Sequence, residues 1–320
     1  MNCLITGISG YIGSHLALRL IDQGHQVTGL IHQSQPTIVN DDVRYIHGDI
    51  TQWSQIKDCA RNMDFVFHCA GLVNDYASNQ HLFDVHVNGT MNLVNSCKRH
   101  QCKRFVFLSH IPYECSKKTY PYPESKMHAE SFLMDEFKNN DIPVVIVRPG
   151  NVYGPNAPTW VLRPMKALKE RRIALIDGGK GIFHHTYIDN LIDALMGCLD
   201  SEDINGEIFD ITDGDSSITW KRYFNDLAEI IGTDQITWNL SYPVAKIIGH
   251  FMIFGDRLFG ISPLVTPYAV EIFSNTTKVS IDIARDKLGY EPTIGYDQGL
   301  KKIKQWIIDQ GIDSILSAKA

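Results

Sequence analysis

The feature that most constrains this chain is a glycine-rich turn lying between a strand-like run and a helix-like one. Thr6-Gly7-Ile8-Ser9-Gly10-Tyr11-Ile12-Gly13 directly follows the apolar run 3–6 and leads at once into a helical segment over 14–23. Glycines permit a tight turn and the close approach of backbone to a pyrophosphate, which first-turn N–H groups and the helix dipole then stabilise. Turns collect glycine for conformational reasons alone. The strand before and the helix after are what make this one a candidate dinucleotide site.

The alternation continues along the chain. Short apolar, β-branched runs recur at 3–6, 27–31, 65–68, 104–109 and 144–148, and helical segments such as 14–23, 80–100 and 124–138 carry apolar residues at three- and four-residue spacing. Strands buried on both faces and separated by helices imply an α/β fold, a Rossmann-type doubly wound parallel sheet. After Gly150 the pattern changes, because Pro149, Pro155, Pro158 and Pro164 crowd a short interval. The expected organisation is a dinucleotide-binding domain over 1–151 and a smaller, mostly helical substrate lobe over 152–182. Residues 183–212 return to the first domain, and 213–320 complete the lobe, helical at 220–231 and from 241 onward.

Composition removes several classes. With 320 residues, 44% hydrophobic and 21% charged, the chain has a globular core, and disorder, collagen and coiled coil are set aside. A net charge of −6 and a pI near 6.1 supply no basic footprint for nucleic acid. Seven scattered cysteines, without C-x-x-C spacing, fit reduced thiols in a cytoplasmic protein and hold no metal. Nothing at the start resembles a cleavable secretion signal, and none is expected. The longest apolar stretch, 244–254, is broken by Lys246, Gly249 and His250 and is too short to span a bilayer.

The glycine spacing is G-x-x-G-x-x-G, and with it the chain resembles the extended branch of the short-chain dehydrogenase/reductase superfamily, the NAD-dependent epimerase/dehydratase family. Three further segments match in order: His47-Gly48-Asp49-Ile50, His68-Cys69-Ala70-Gly71, and Arg148-Pro149-Gly150-Asn151-Val152-Tyr153-Gly154-Pro155. The resemblance implies NAD(P) held by Gly7, Gly10, Tyr11, Ile12 and Gly13, with Asp49 and Ile50 toward the adenine. Cys69, Ala70, Gly71, Pro149, Asn151 and Val152 would line the same cofactor. After the second strand stands His32-Gln33-Ser34 rather than the acid that accepts from an adenosine ribose. Without a carboxylate to repel a 2′-phosphate, and with His32 at the place where related NADP-dependent reductases tend to have arginine, the choice leans to NADP with His32 at the cofactor; the competing reading makes His32 a solvent-facing loop residue.

Ser109 closes the fifth strand, and Tyr122-Pro123-Glu124-Ser125-Lys126 comes next, in the manner of the superfamily's Ser and Tyr-x-x-x-Lys. Four-residue spacing puts Tyr122 and Lys126 on one helix face, with Pro123 in the first turn. A phenol titrating near 10 is a poor base at neutral pH, and a neighbouring ammonium lowers that value. By resemblance Tyr122 is the general acid/base, Lys126 holds the nicotinamide ribose and tunes Tyr122, and Ser109 hydrogen-bonds the reacting oxygen. One departure is His86-Val87-Asn88-Gly89-Thr90, with His86 where relatives have an asparagine of a proton path. His86 either replaces it or is structural. The short loop with Tyr113 and Cys115 should line the site differently, and Cys115 is read as an ordinary loop cysteine.

For the substrate, Phe183 falls where nucleotide-sugar relatives carry an arginine for a diphosphate, although Arg163, Lys166, Arg222 and Asn151 argue the other way. The segments 261–266 and 280–292 resemble the C-terminal lobe of 3β-hydroxysteroid dehydrogenase and dihydroflavonol-reductase-like members. Residues 245–259 are rich in Ile, Phe and Met, fit to cover an apolar substrate, touch a membrane surface or pack within the lobe. The preferred expectation is hydride exchange between NAD(P) and a secondary alcohol or ketone of a fairly apolar small molecule. A nucleotide-sugar epimerase or dehydratase with tightly held NAD, and a non-catalytic NAD(P) sensor, are the alternatives. The resemblance also implies a homodimer through a four-helix bundle of 80–100 and 124–138.

Overall fold

The computed structural model describes residues 1–34, 41–112, 120–140, 142–260 and 262–317. Its strands in chain order are β1 (Asn2–Thr6), β2 (Gln26–Ile31), β3 (Val43–His47), β4 (Phe65–His68), β5 (Arg104–Leu108), β6 (Val144–Pro149), β7 (Asn151–Tyr153), β8 (Leu175–Ile176), β9 (His185–Tyr187), β10 (Ile208–Ile211) and β11 (Asn239–Leu240). Seven form one sheet in the order β10-β6-β5-β4-β1-β2-β3, every pairing parallel. The order reverses between β1 and β4, which opens a crevice at their carboxyl ends.

Burial explains the arrangement. Strands β1, β4, β5 and β6 are apolar and buried along most of their length, as a sheet covered on both faces requires. On one face Ile5, Phe67, Val106 and Val147 pack with Leu16 and Leu20 of the helix Tyr11–Asp22 and with Leu191 and Leu195 of the helix Ile188–Asp200. On the other, Leu4, Val66, Phe105 and Ile146 pack with Leu93 and Val94 and with Ala129 and Leu133 of the helix Pro121–Asn140. Edge strand β3 buries only Val43 fully, so it lacks the apolar density of the other runs. The stretch 183–199 contains a strand, β9, but it pairs with β7 in a two-stranded ribbon; β10 is what joins the main sheet beside β6.

Two expected helices differ in detail. The segment expected at 80–100 is Asn79–Phe83, then one π turn Asp84–Asn88, then Gly89–His100. The Thr90 hydroxyl donates to the His86 carbonyl at 2.6 Å, taking an acceptor that a regular helix would use along its backbone. The segment expected from 124 begins at Pro121 and includes Tyr122 in its first turn. The Ile/Phe/Met-rich segment is the helix Tyr242–Phe259, which buries Ala245 and Gly249 and exposes Val244, Ile247, Phe251, Phe254 and Leu258. No described helix is long and apolar enough to cross a membrane. The described cysteines carry free thiols. Tyr113 and Cys115 lie outside the described residues.

Candidate active site

The glycine turn sits at the carboxyl end of β1, in the crevice. Gly7 has φ +71°, and a Cβ there would stand 2.6 Å from the Ala70 nitrogen; a Cβ on Gly13 would stand 2.4 Å from the Gly7 carbonyl oxygen. Glycine is therefore required by contact as well as by conformation. The helix Tyr11–Asp22 begins at Gly10 with no side-chain cap and no acid in its first turn. Its N-terminal N–H groups, near Tyr11, Ile12 and Gly13, suit an anion. The cradle that the glycines keep clear fits a dinucleotide pyrophosphate.

One wall of the crevice is β4 and the residues after it. Ala70 N–H donates to the Thr6 hydroxyl at 3.2 Å, and Thr6 meets His68 Nδ1 at 2.8 Å. His68 Nε2 meets the Thr90 hydroxyl at 3.0 Å. Since Thr90 gives its own hydrogen to the His86 carbonyl, His68 donates from Nε2 and accepts from Thr6 at Nδ1. Burial, then the Lys126 charge, pushes His68 down to about 3. This neutral ring fixes Cys69, Ala70 and Gly71 against β1.

His86 is bound as firmly. Leu72 N–H donates to its Nε2 at 3.0 Å and Nδ1 lies 2.8 Å from Ser125 Oγ, which donates to the Tyr122 carbonyl at 2.8 Å. The backbone donor fixes the tautomer, with the hydrogen on Nδ1. Burial, followed by Lys126, His68 and His110, holds the ring down to about 2. Both nitrogens are occupied by the protein's own groups, an arrangement suited to bracing the helix that carries Tyr122.

Lys126 is buried, donates to the Leu108 carbonyl at 3.0 Å and lies 4.6 Å over the Phe107 ring. Burial pushes its ammonium down to about 8, with Glu130 and Cys69 opposing. Gly71 leaves the space beside it open: a Cβ there would lie 3.4 Å from both Lys126 Nζ and His86 Nε2. Tyr122 stands one turn earlier, its ring edge-on to His86 at 5.5 Å and to His110 at 5.3 Å. Its phenol departs from the expected lowering: burial, then Asp75, pushes it up to about 12. Desolvation of the phenolate outweighs the distal ammonium in the chain alone, so the hydroxyl is the resting form. Ser109 Oγ is buried without a hydrogen-bond partner among the described residues, as is Asn151 Nδ2.

The remaining sequence candidates differ in setting. His32 is exposed at the end of β2, its Nε2 3.8 Å from the Asp49 carboxylate. Asp49 in turn accepts from the Thr51 N–H and hydroxyl, each at 2.9 Å. Ile50 fills the space over Gly89, and its backbone carbonyl accepts from Asn92 at 2.9 Å. Pro149 ends β6, and Asn151 and Val152 begin β7. Phe183 is fully buried, stacked on Tyr223 at 3.8 Å, so that position is aromatic core. Arg222 pairs with Asp297 at 2.8 Å, while Arg163 is exposed and its charge reaches Asp75.

Sequence reasoning missed the groups that close the site from the C-terminal lobe. Thr266 donates to Asp75, and Tyr268 lies 6.3 Å from the Tyr122 ring. Behind them Lys246 pairs with Glu271 at 2.6 Å and donates to Tyr120. No local pattern marks residues that meet across 191 positions of chain. His110, adjacent to Ser109, was also passed over, because a lone histidine after a strand carries no motif.

The family model for the NAD dependent epimerase/dehydratase family matches residues 3–212. The chain is similar to a 2-alkyl-3-oxoalkanoate reductase of Shewanella oneidensis, 23% identical over 95% of this chain and 85% of the relative. It is also similar to a decarboxylating sterol-4-alpha-carboxylate 3-dehydrogenase of Saccharomyces cerevisiae, 25% identical over 97% and 98%. Among solved structures it resembles the UDP-glucose 4-epimerase of Thermotoga maritima determined with UDP-glucose, with TM-score 0.76 and 20% identity, covering 97% of this chain and 99% of that one. The family match over most of the chain, joined to the parallel sheet and its glycine crevice, makes this protein a member of the NAD-dependent epimerase/dehydratase family, an NAD(P)-dependent enzyme of the short-chain dehydrogenase/reductase type.

Proposed function

We propose that the chain is an oxidoreductase exchanging hydride between NAD(P) and a secondary alcohol or ketone of a fairly apolar small molecule. The observation that carries this is half-buried Tyr122 set one turn from buried Lys126, its ring beside those of His110 and Tyr268. Reduced nicotinamide, when bound, supplies the hydride. Tyr122 gives its phenolic proton to the substrate oxygen, and Ser109 Oγ donates to the same oxygen. Lys126 holds the ribose and stabilises the phenolate that remains. Gly7, Gly10 and Gly13 admit the pyrophosphate, and His86 keeps the Tyr122 helix in register. Phe183, in the aromatic core, leaves a diphosphate without a cation at that position.

The test is a panel of a 2-alkyl-3-oxoalkanoate, a 3-oxosteroid and UDP-glucose, followed by oxidation of reduced cofactor. Net oxidation with one of the ketones is expected, and Tyr122→Phe should lose about 10²–10⁴-fold in kcat while binding the cofactor normally. Turnover of UDP-glucose without net cofactor oxidation, and none of the ketones, would replace this reading with an epimerase or dehydratase. Asn151 Nδ2, buried and unpartnered, and exposed Arg163 favour that second reading. A cofactor sensor is the weaker alternative, since Ser109, Tyr122 and Lys126 would then be idle.

A further inference from the structure

His110 poses a problem that the functions assigned above leave open. It follows Ser109 at the carboxyl end of β5, and its ring lies edge-on to the Tyr122 ring at 5.3 Å. Nδ1 and Nε2 are both buried, and neither has a hydrogen-bond partner among the described residues. The other two histidines lining this part of the crevice, His68 and His86, each have both nitrogens satisfied. A buried donor or acceptor left unpaired costs about 1–3 kcal/mol, so two on one ring call for a group that arrives from outside the chain.

The chemistry of the ring narrows what that group is. Burial, then the Lys126 and Arg148 charges, pushes His110 down to about 3, so the imidazole is neutral and presents one N–H donor and one acceptor. A neutral donor suits an uncharged carbonyl or alcohol oxygen. It lacks the cationic fork that favours a phosphate or carboxylate.

We infer that His110 is a further catalytic residue, whose ring N–H donates to the reacting oxygen beside Tyr122. This rests on the proposed ketone/alcohol chemistry. In the reducing direction hydride adds to the carbonyl carbon, the C–O π pair moves to oxygen, and the Tyr122 proton forms the O–H bond. The cofactor is oxidised and the substrate reduced. His110 keeps its own proton throughout and stabilises the oxygen as negative charge develops, the role of an oxyanion donor. An alkoxide has three lone pairs, enough for Tyr122, Ser109 and His110 together.

Two measurements on the full chain test the inference. The first follows the ring nitrogens of ¹⁵N-histidine-labelled protein by NMR, with NADPH and cyclohexanone as probes. The His110 ring is expected as one neutral tautomer whose donor nitrogen moves when cyclohexanone is added to the NADPH complex, while His68 and His86 stay in place. A His110 signal indifferent to the ketone, in an enzyme that turns over a ketone of the panel, would overturn the inference. The second compares variants on the ketone substrate found in the panel. His110→Phe keeps the ring contact with Tyr122 and removes the donor, so kcat should fall about 100-fold with NADPH affinity unchanged. His110→Gln, which restores an N–H, should recover most of that loss. Equal activity in wild type and His110→Phe, or equal loss in both variants, would reject the role. Failure of every ketone in the panel would instead reject the oxidoreductase reading on which the His110 role rests.

Discussion

His86 Nδ1 lies 2.8 Å from Ser125 Oγ, so one imidazole ties the π turn Asp84–Asn88 to the helix that carries Tyr122 and Lys126. Its other nitrogen accepts from Leu72 N–H, which links the same ring to the segment after β4. His86→Leu fills similar space but strands the Leu72 donor. The expected loss is about 1–3 kcal/mol in urea unfolding, with His86→Asn recovering part of it. A leucine variant as stable as wild type would mean that the bridge does not hold the two segments.

Acid should weaken the fold through buried histidines. His68, His86 and His110 are pushed down to about 3, about 2 and about 3, against about 6.5 in an unfolded chain. Between those values the unfolded state binds protons that the folded state refuses. Stability therefore falls as pH drops below about 6.5, each ring contributing up to about 1.4 kcal/mol per pH unit. Urea midpoints measured from pH 7 to pH 5 should fall, and the His68→Asn variant should show a shallower slope. Identical slopes would count against His68 as a source.

Gly13→Ala tests the cradle. Its Cβ would meet the Gly7 carbonyl oxygen at 2.4 Å, so the turn must shift. The expected cost is about 1–3 kcal/mol of stability and at least tenfold in NADH affinity by fluorescence titration. Gly24→Ala is the control for NADH binding: its φ of +78° also strains an alanine, but among the described residues nothing beyond its chain neighbours lies within 4 Å of the added Cβ. Normal NADH binding by Gly13→Ala would place the pyrophosphate elsewhere.

Cofactor choice turns on the end of β2. We propose a preference for NADP, on the ground that His32 is exposed there and the second strand ends without an acid of its own. The Asp49 carboxylate 3.8 Å from His32 opposes this by charge. NADPH should bind more tightly than NADH, and His32→Asp should reverse the order. Equal or tighter NADH binding by wild type defeats the preference.

The proposed homodimer would use the outward faces of the helical segments 79–100 and 121–140. Phe83, Met91 and Met127 are exposed on them, apolar groups that a four-helix bundle would cover. Light scattering should give twice the chain mass, falling to one chain mass in Met127→Glu. A wild-type monomer removes this interface.

Much of the architecture was legible because it is local. The strands at 3–6, 65–68 and 144–148 declare themselves by unbroken apolar runs, as central parallel strands must. Edge strand β3, with Arg44 and His47 among its residues, has too little to bury to show such a run. The π turn at Asp84–Asn88 depends on a Thr90 hydroxyl bond that no periodicity encodes.

By itself the sequence determined the glycine turn between strand and helix, the Tyr122–Lys126 helical spacing, and with them the fold class and family. These follow from backbone sterics and from periods of two and 3.6, which act between near neighbours in the chain. Tertiary contacts alone push the Tyr122 phenol up rather than down, engage both nitrogens of His86 as a brace, and leave His110 beside the phenol without a partner among the described residues. Those properties depend on desolvation and on contacts between residues from distant segments.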